Sequence, residues 1–296
     1  MSAPDAPAVL LTVIRSGALT TVQDLGRAGH AHLGVPHSGA LDRPAHLLAN
    51  ALVGNAPSAA GLETTVNGCA VRASGPMVAA VTGAACAVRV DGRPVAWGAP
   101  VRVPAGAVLD VGAARRGLRS YLAFAGGLDV PPVLGSRATD LLSGLGPAPL
   151  ADGRELRLGG ERSGPPRAAD VHPYAGLGPE LVLPLVPGPR DDWFAADAPR
   201  VLARGRYEVS PASNRIGLRT AGPALDRVRH DELPSEGMVL GAVQVPPDGR
   251  PVVFLADHPT TGGYPVIGVV PEAALWAAAQ AAPGTPVRFV PAGGTR

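Results

Sequence analysis

The chain has 296 residues, 46% of them hydrophobic and 17% charged, so it can bury a sizeable core and lacks the low-hydrophobicity signature of disorder. A formal charge of +2 and scattered arginines offer no basic stripe for nucleic acid, and no window reaches the roughly 18 apolar residues that a membrane span needs. All 26 basic residues are Arg, which removes lysine as a Schiff base or phosphate ligand.

The N-terminal MSAPDAPAVLL carries an acidic residue where a signal peptide would be positive, so a cytoplasmic location is expected. Strand-like runs follow: AVLLTVI, then MVAAVTG, CAVRV, VRVPAGAVLDV and SYLAFAG, each rich in Val, Leu and Ala and bounded by Gly, Pro or Asp. Between the first two, Asp42 and Pro44 open a segment in which Ala45, Leu48, Ala49, Leu52 and Val53 fall on one helical face before Gly54-Asn55 stops it. Asp91-Gly92, set between apolar runs, predicts a tight hairpin because both positions tolerate positive φ. Cys69 and Cys86 lack CxxC spacing and read as free thiols in a reducing compartment.

From about Gly159 to Pro179 the sequence is rich in Gly and Pro with little periodicity, which divides the chain into a β-rich N-terminal subdomain (1–160), a linker (161–179) and a C-terminal β subdomain (180–296). Strands resume with LVLPLVPG and RYEVS. A second Asp-Gly hairpin is expected at Asp248-Gly249, followed by a helix in PEAALWAAAQ and a closing strand in VRFVP. The string DGRPV occurs in both candidate hairpins, at Asp91 and at Asp248, as related β domains would produce.

His30, His32, His37 and His46 lie close together in sequence, but no HExxH or cysteine partner accompanies them and no metal site is assigned. Ser38, His37 and Asp42 lack the elbow that presents a catalytic serine, and no phosphate loop is present. What remains are polar clusters at strand ends: Gln23, Asp24 and Arg27 after the first strand, SNRIG at Ser213, SEG at Ser235, and LADHPTTGGYP after the second hairpin.

The motifs LTTVQDLGRAGHAHLGVPHSGALD, YLAFAGGLDVPPVLGSRATDLL, SNRIGLR, SEGMVLGAVQVPPDGRP and LADHPTTGGYP, in this order, resemble the biotin-dependent carboxyltransferase family, also called allophanate hydrolase subunit 2 or KipA-like. The resemblance runs from about Leu11 to Phe289. It implies a mainly β architecture of two cyclophilin-like β-barrel subdomains with a few short helices. It also implies work on an amide or lactam, most like the free-standing members that form one component of a bacterial ATP-dependent 5-oxoprolinase. Partners would be a KipI-like subunit and a lactam-utilisation subunit. This chain would hold no cofactor tightly, and the complex would use ATP. The alternatives are a carboxyltransferase half served by biotin on a separate carrier, and a KipA-like protein that binds a kinase-inhibitor partner. In LADHPTTGGYP, His258-Pro259 stand where the family has a basic residue and Gln.

On this reading Asp257 contacts the substrate amide, since a carboxylate can orient an amide N–H or take its proton. Thr260, Thr261, Gly262, Gly263 and Tyr264 shape the pocket wall, with backbone N–H groups at the Gly pair suited to an oxyanion. Gln244, Ser235, Glu236, Asn214 and Arg215 support or contact the substrate.

Overall fold

The computed structural model describes residues 9–160, 164–165, 178–229 and 231–292. They fall into two compact units. One holds the described residues up to Gly26, Arg43–Thr139, and those from Leu145 to Pro165; the other holds Arg27–Asp42, Asp140–Gly144, and those from Gly178 onward. Two short segments of the N-terminal half therefore belong to the second unit. Apart from 164–165 and 178–179, the expected linker lies outside the described residues.

The first unit contains β1 (Leu10–Arg15), β2 (Leu19–Gln23), α1 (Arg43–Val53), β3 (Gly61–Thr65), β4 (Ala70–Ala73), β5 (Met77–Val90), β6 (Arg93–Val95), β7 (Val101–Val103), β8 (Val108–Phe124) and β9 (Glu155–Arg157). The nine strands form one sheet with the path β2-β3-β8-β4-β1-β9, and β5 pairs with β6, β7 and β8. The runs MVAAVTG and CAVRV are joined in a single strand of 14 residues, β5. The register shifts just after Gly83, whose φ of 81° is open to glycine, so the strand bends without ending. Gly117 (φ 89°) lies within the 17-residue β8 in the same way. The hairpin between β5 and β6 is the tight one expected: Val90 pairs with Arg93, and Asp91 and Gly92 have φ of 47° and 77°.

Helix α1 packs against β5 and β8 and buries Ala45, Ala49, Leu52 and Val53, the face predicted from their spacing. Thr82 Oγ1 donates to the Ala45 carbonyl at 2.7 Å, which ties the first turn to β5. The same face carries His46, buried beside Asn50 (Nδ2 to Nε2, 3.1 Å) and edge-on to Tyr121, whose hydroxyl donates to Glu63 at 2.8 Å. Leu11, Val22, Leu62, Val81, Leu109 and Phe124 supply much of the core beneath.

Burial lowers the His46 pKa from 6.5 to about 4. The native imidazole is therefore neutral, whereas the unfolded chain takes up a proton below pH 6.5. Between those values the unfolded state binds more protons, so stability is complete above pH 6.5 and is lost as the pH falls toward 4. Full expression of the shift is worth about 3 kcal/mol. Thermal melts from pH 7 to pH 4 should show a drop in Tm that is smaller in His46→Gln; equal slopes would contradict this role.

The second unit contains β10 (Leu181–Pro187), α2 (Ala198–Arg204), β11 (Tyr207–Val209), β12 (Gly217–Ala221), β13 (Glu236–Gly237), β14 (Ala242–Gln244), β15 (Val252–Phe254), β16 (Thr261–Gly262), β17 (Val266–Val269), α3 (Glu272–Gln280) and β18 (Pro286–Pro291). Seven strands close into a barrel in the order β10-β17-β14-β15-β12-β11-β18, with β10 and β18 parallel. Closure leaves no unpaired barrel edge. Leu181, Leu183, Val243, Val253, Ile267 and Phe289 fill it. The second Asp-Gly segment also joins paired strands, β14 and β15, but by a wider loop: Gln244 pairs with Val252, and Gly249 N–H donates to the Pro246 carbonyl at 2.9 Å. Pro246 and Pro247 have no N–H to give the ladder, so pairing stops before the turn. Helix α2 has no counterpart in the sequence reading, because seven residues are too few to show a helical period. No helix among the described residues is long and apolar enough to cross a membrane.

Candidate functional site

Strand β15 delivers its chain directly into LADHPTTGGYP, and backbone bonds fix the exit. Leu255 N–H donates to the Ile216 carbonyl at 2.9 Å, and Asp257 N–H donates to the Arg215 carbonyl at 3.1 Å. Asp257 is thereby set opposite Arg215. Both side chains are completely buried. Arg215 Nε reaches Asp257 Oδ2 at 2.9 Å and Nη2 reaches Oδ1 at 3.0 Å, a side-on bidentate pair. Ser38 Oγ donates to Oδ1 at 2.7 Å, and Leu141 N–H to Oδ2 at 3.1 Å. Arg215 Nη2 also donates to the Gly39 carbonyl at 2.7 Å. The carboxylate thus accepts from protein donors at both oxygens and presents nothing to a ligand in this structure. It fastens the segments around Ser38 and Leu141 to the start of the Thr260–Tyr264 loop. Ser38 holds a left-handed φ of 54°, which a non-glycine residue keeps only where surrounding bonds fix it; its N–H donates to the Ala256 carbonyl at 3.0 Å.

His258 follows immediately. Its ring stacks on Phe254 (5.8 Å, 10° between planes), and Nδ1 lies 2.8 Å from the Pro259 carbonyl. That contact makes Nδ1 the donor and leaves Nε2 the acceptor of a neutral ring. Burial lowers its pKa, which favours the neutral form.

Past His258 the loop returns as β16, which pairs with β13: Glu236 opposes Gly262 and Gly237 opposes Thr261. Met238 N–H extends the contact to the Thr260 carbonyl at 2.8 Å. Gln244, at the end of β14, donates through Nε2 to the Tyr264 carbonyl at 3.2 Å. A Cβ on Gly262 would lie 2.7 Å from that same nitrogen, so glycine is what admits the Gln244 carboxamide. Arg190 forms an ion pair with Glu236, its Nε 3.1 Å from Oε2. Arg227 lies over the Tyr264 ring at 5.8 Å and donates through Nη2 to the Val245 carbonyl, while its Nε is buried without a hydrogen-bond partner among the described residues. Thr261, Tyr264 and Ser235 are exposed. Glu236, Gln244, Thr261, Tyr264, Arg190 and Arg227 make a polar strip with both signs of charge, an amide and an aromatic face.

The residues predicted from sequence divide accordingly. Ser235, Glu236, Gln244 and Thr260 to Tyr264 are brought together on the strip, whereas Arg215 joins Asp257 in the enclosed cluster. Asn214 is occupied locally, its Oδ1 accepting from Ile216 N–H (2.8 Å) and Gly217 N–H (3.2 Å) in a turn. Gln23 and Asp24 lie in the first unit, where Asp24 accepts from Ser136 Oγ and Arg137 N–H, each at 2.6 Å. Arg190, Arg227, Ser38 and His258 were not among the predicted site residues. The first two sit in irregular segments without a motif; Ser38 stood out only beside His37 and Asp42, and His258 only within LADHPTTGGYP. Among the described residues no group of three or more His, Cys, Asp or Glu side chains could hold a metal ion.

A closed barrel with a Gly-Gly-Tyr loop pinned by a buried Arg-Asp pair, in one chain with a mainly β unit, defines the class of a two-part carboxyltransferase-type domain. Residues 33–291 match the family model for the carboxyltransferase domain, subdomain A and B, and the chain belongs to that family. It is 40% identical to the C subunit of the Escherichia coli 5-oxoprolinase, over 95% of this chain and 91% of that protein. It is 33% identical to a urea amidolyase of Lachancea kluyveri over 94% of this chain but only 17% of that much longer protein. The crystal structure of the Kluyveromyces lactis urea amidolyase superposes with a TM-score of 0.89 at 31% identity, over 97% of this chain and 19% of that one.

Removing one charge of the enclosed pair leaves the other buried and alone, a change that costs about 3–5 kcal/mol in comparable settings. Asp257→Asn should therefore lower Tm by many degrees. Asp257→Leu combined with Arg215→Met, which removes both charges, should recover much of the loss. Unchanged melting of Asp257→Asn would refute the role given to the pair.

Proposed function

We propose that the chain is one component of a heteromeric ATP-dependent 5-oxoprolinase, the counterpart of the Escherichia coli C subunit. The complex converts 5-oxo-L-proline, ATP and water into L-glutamate, ADP and phosphate. The chain works there with a KipI-like subunit and with a lactam-utilisation subunit. The observation that carries this reading is the likeness to the Escherichia coli protein, which extends over 91% of its length, against 17% of the urea amidolyase. The complex uses ATP, and this chain, which has no phosphate-loop motif, contributes to the lactam side of the site.

In this assignment the polar strip meets the lactam. The buried Gln244 carboxamide spends Nε2 on the Tyr264 carbonyl and on Met238 Sδ at 3.9 Å, which leaves its Oε1 to accept from a lactam N–H. The exposed Thr261 hydroxyl and Tyr264 ring bound the ring of the substrate, and Arg190 and Arg227 offer positive charge to its carboxylate. Asp257, with both oxygens engaged, is a positioning residue: through Arg215, Ser38 and Leu141 it sets where the Thr260–Tyr264 loop begins. A second reading, carboxyl transfer to urea or another amide from biotin on a separate carrier, is favoured by the TM-score of 0.89 with the urea amidolyase. No lysine is present to carry biotin in this chain.

The test is 5-oxoproline-dependent phosphate release by the three copurified proteins. Activity should require this chain, and Gln244→Ala should lower kcat/KM by about tenfold or more, chiefly through KM. A complete complex that hydrolyses no ATP with 5-oxoproline, yet carboxylates urea with a biotinylated carrier, would replace the first reading with the second.

A further inference from the structure

The barrel carries a concavity away from the strip. A cavity of about 600 Å³ opens where the end of α2, β11, the end of β12, β18 and the start of β10 meet, and Glu180, Arg204, Arg206, Tyr207, Glu208 and Arg288 line it. Arg288 is engaged by Glu180, Nε to Oε2 at 2.9 Å. Arg204, Arg206 and Glu208 have no ion-pair partner among the described residues. Arg206 and Glu208 are exposed on either side of the buried Tyr207, about 7 Å apart along the chain.

Tyr207 adds a donor. Only 3% of the residue is exposed, and its hydroxyl has no hydrogen-bond partner among the described residues. Burial raises its pKa to about 12, so the phenol keeps its proton. A Cβ on Gly205 would sit 2.6 Å from ring carbon Cε2 and 3.1 Å from Cζ, and one on Gly222 would sit 2.5 Å from Cδ1. Both glycines belong to the cavity wall. The ring therefore lies against two glycines of that wall, with the Val201 and Arg206 carbonyls close by, and a buried hydroxyl with no partner among the described residues favours a ligand that brings it an acceptor.

Two guanidinium groups and one carboxylate without partners match a molecule with two negative groups and one positive group. We propose that this cavity binds an acidic amino acid, with its carboxylates on Arg204 and Arg206 and its ammonium on Glu208. A cavity of this size is ample for such a ligand. The site shares no residue with the Gln244–Tyr264 strip and does not depend on the reaction proposed for it.

Isothermal titration calorimetry of the purified chain at neutral pH and low salt tests this, with L-glutamate as ligand and L-glutamine, glutarate and inorganic phosphate as comparators. L-glutamate should bind one per chain and more tightly than any comparator. The double variant Arg204→Ala/Arg206→Ala should weaken it about tenfold or more without changing Tm, because both side chains are exposed. Tyr207→Phe should weaken it less, and Gln244→Ala should leave it intact. Absence of saturable heat, wild-type affinity in the double variant, or phosphate binding as tightly as glutamate would overturn the proposal. Loss of binding in Gln244→Ala would do so as well, by placing the ligand on the strip.

Discussion

A guanidinium and a carboxylate shut away from water cost several kcal/mol each to desolvate, and the cost is met only when their geometry is close and their remaining hydrogen-bonding positions are filled. Arg215 and Asp257 meet both conditions. Their contacts are 2.9 and 3.0 Å, and the spare acceptor positions of the carboxylate go to Ser38 Oγ and Leu141 N–H. Those last two donors come from segments more than 100 residues away in sequence. This ion pair is thereby one of the ties that hold Arg27–Asp42 and Asp140–Gly144 in the barrel unit, beside the Gln280–Asp42 hydrogen bond and Leu41 in the barrel core. The left-handed Ser38 is a consequence: a residue at φ 54° is held there by the oxygen its side chain must reach.

From that anchor the strip follows by chain geometry. The loop that leaves Asp257 has only His258, Pro259 and Thr260 before it pairs with β13, and the pairing puts Gly262 against Gln244. A side chain at Gly262 would displace the carboxamide, so the glycine and the amide form one device. Arg190 and Arg227 complete it from irregular segments, one held by Glu236 and the other lying over Tyr264. Groups so held are ready to bind without first being ordered, which lowers the cost of ligand capture.

The sequence showed those parts of the fold that depend on neighbours in the chain. The Asp91-Gly92 turn, the apolar face of α1, the helix after Pro271 and the closing strand are each set by a few adjacent residues, and each is present. It showed less where distant residues decide. That β5 and β8 run through Gly83 and Gly117 depends on their pairing with each other, and the width of the second hairpin depends on prolines that withhold their N–H from a partner strand. The site divides the same way. Ser235, Glu236, Gln244 and the Thr260–Tyr264 loop carry recognisable motifs and do assemble, but a carboxylate in a polar loop looks the same in sequence whether it faces a ligand or is enclosed. Only three-dimensional partners separate the two cases for Asp257. Arg190 and Arg227, with no periodic or motif context, carried no local signal at all.

His258 shows what a buried position beside such a pair can hold. Arg215 already balances the Asp257 charge, so a second permanent cation at the next position would have to be solvated or paired by something else. Here the position is buried, and a permanent cation would bear the full desolvation cost. An imidazole avoids it by giving up its charge, which burial favours. Pro259 suits this arrangement, because its carbonyl accepts from Nδ1 and its ring restricts the backbone that carries it. Stacked on Phe254 at the end of β15, the neutral ring keeps Nε2 as an acceptor at the start of the loop.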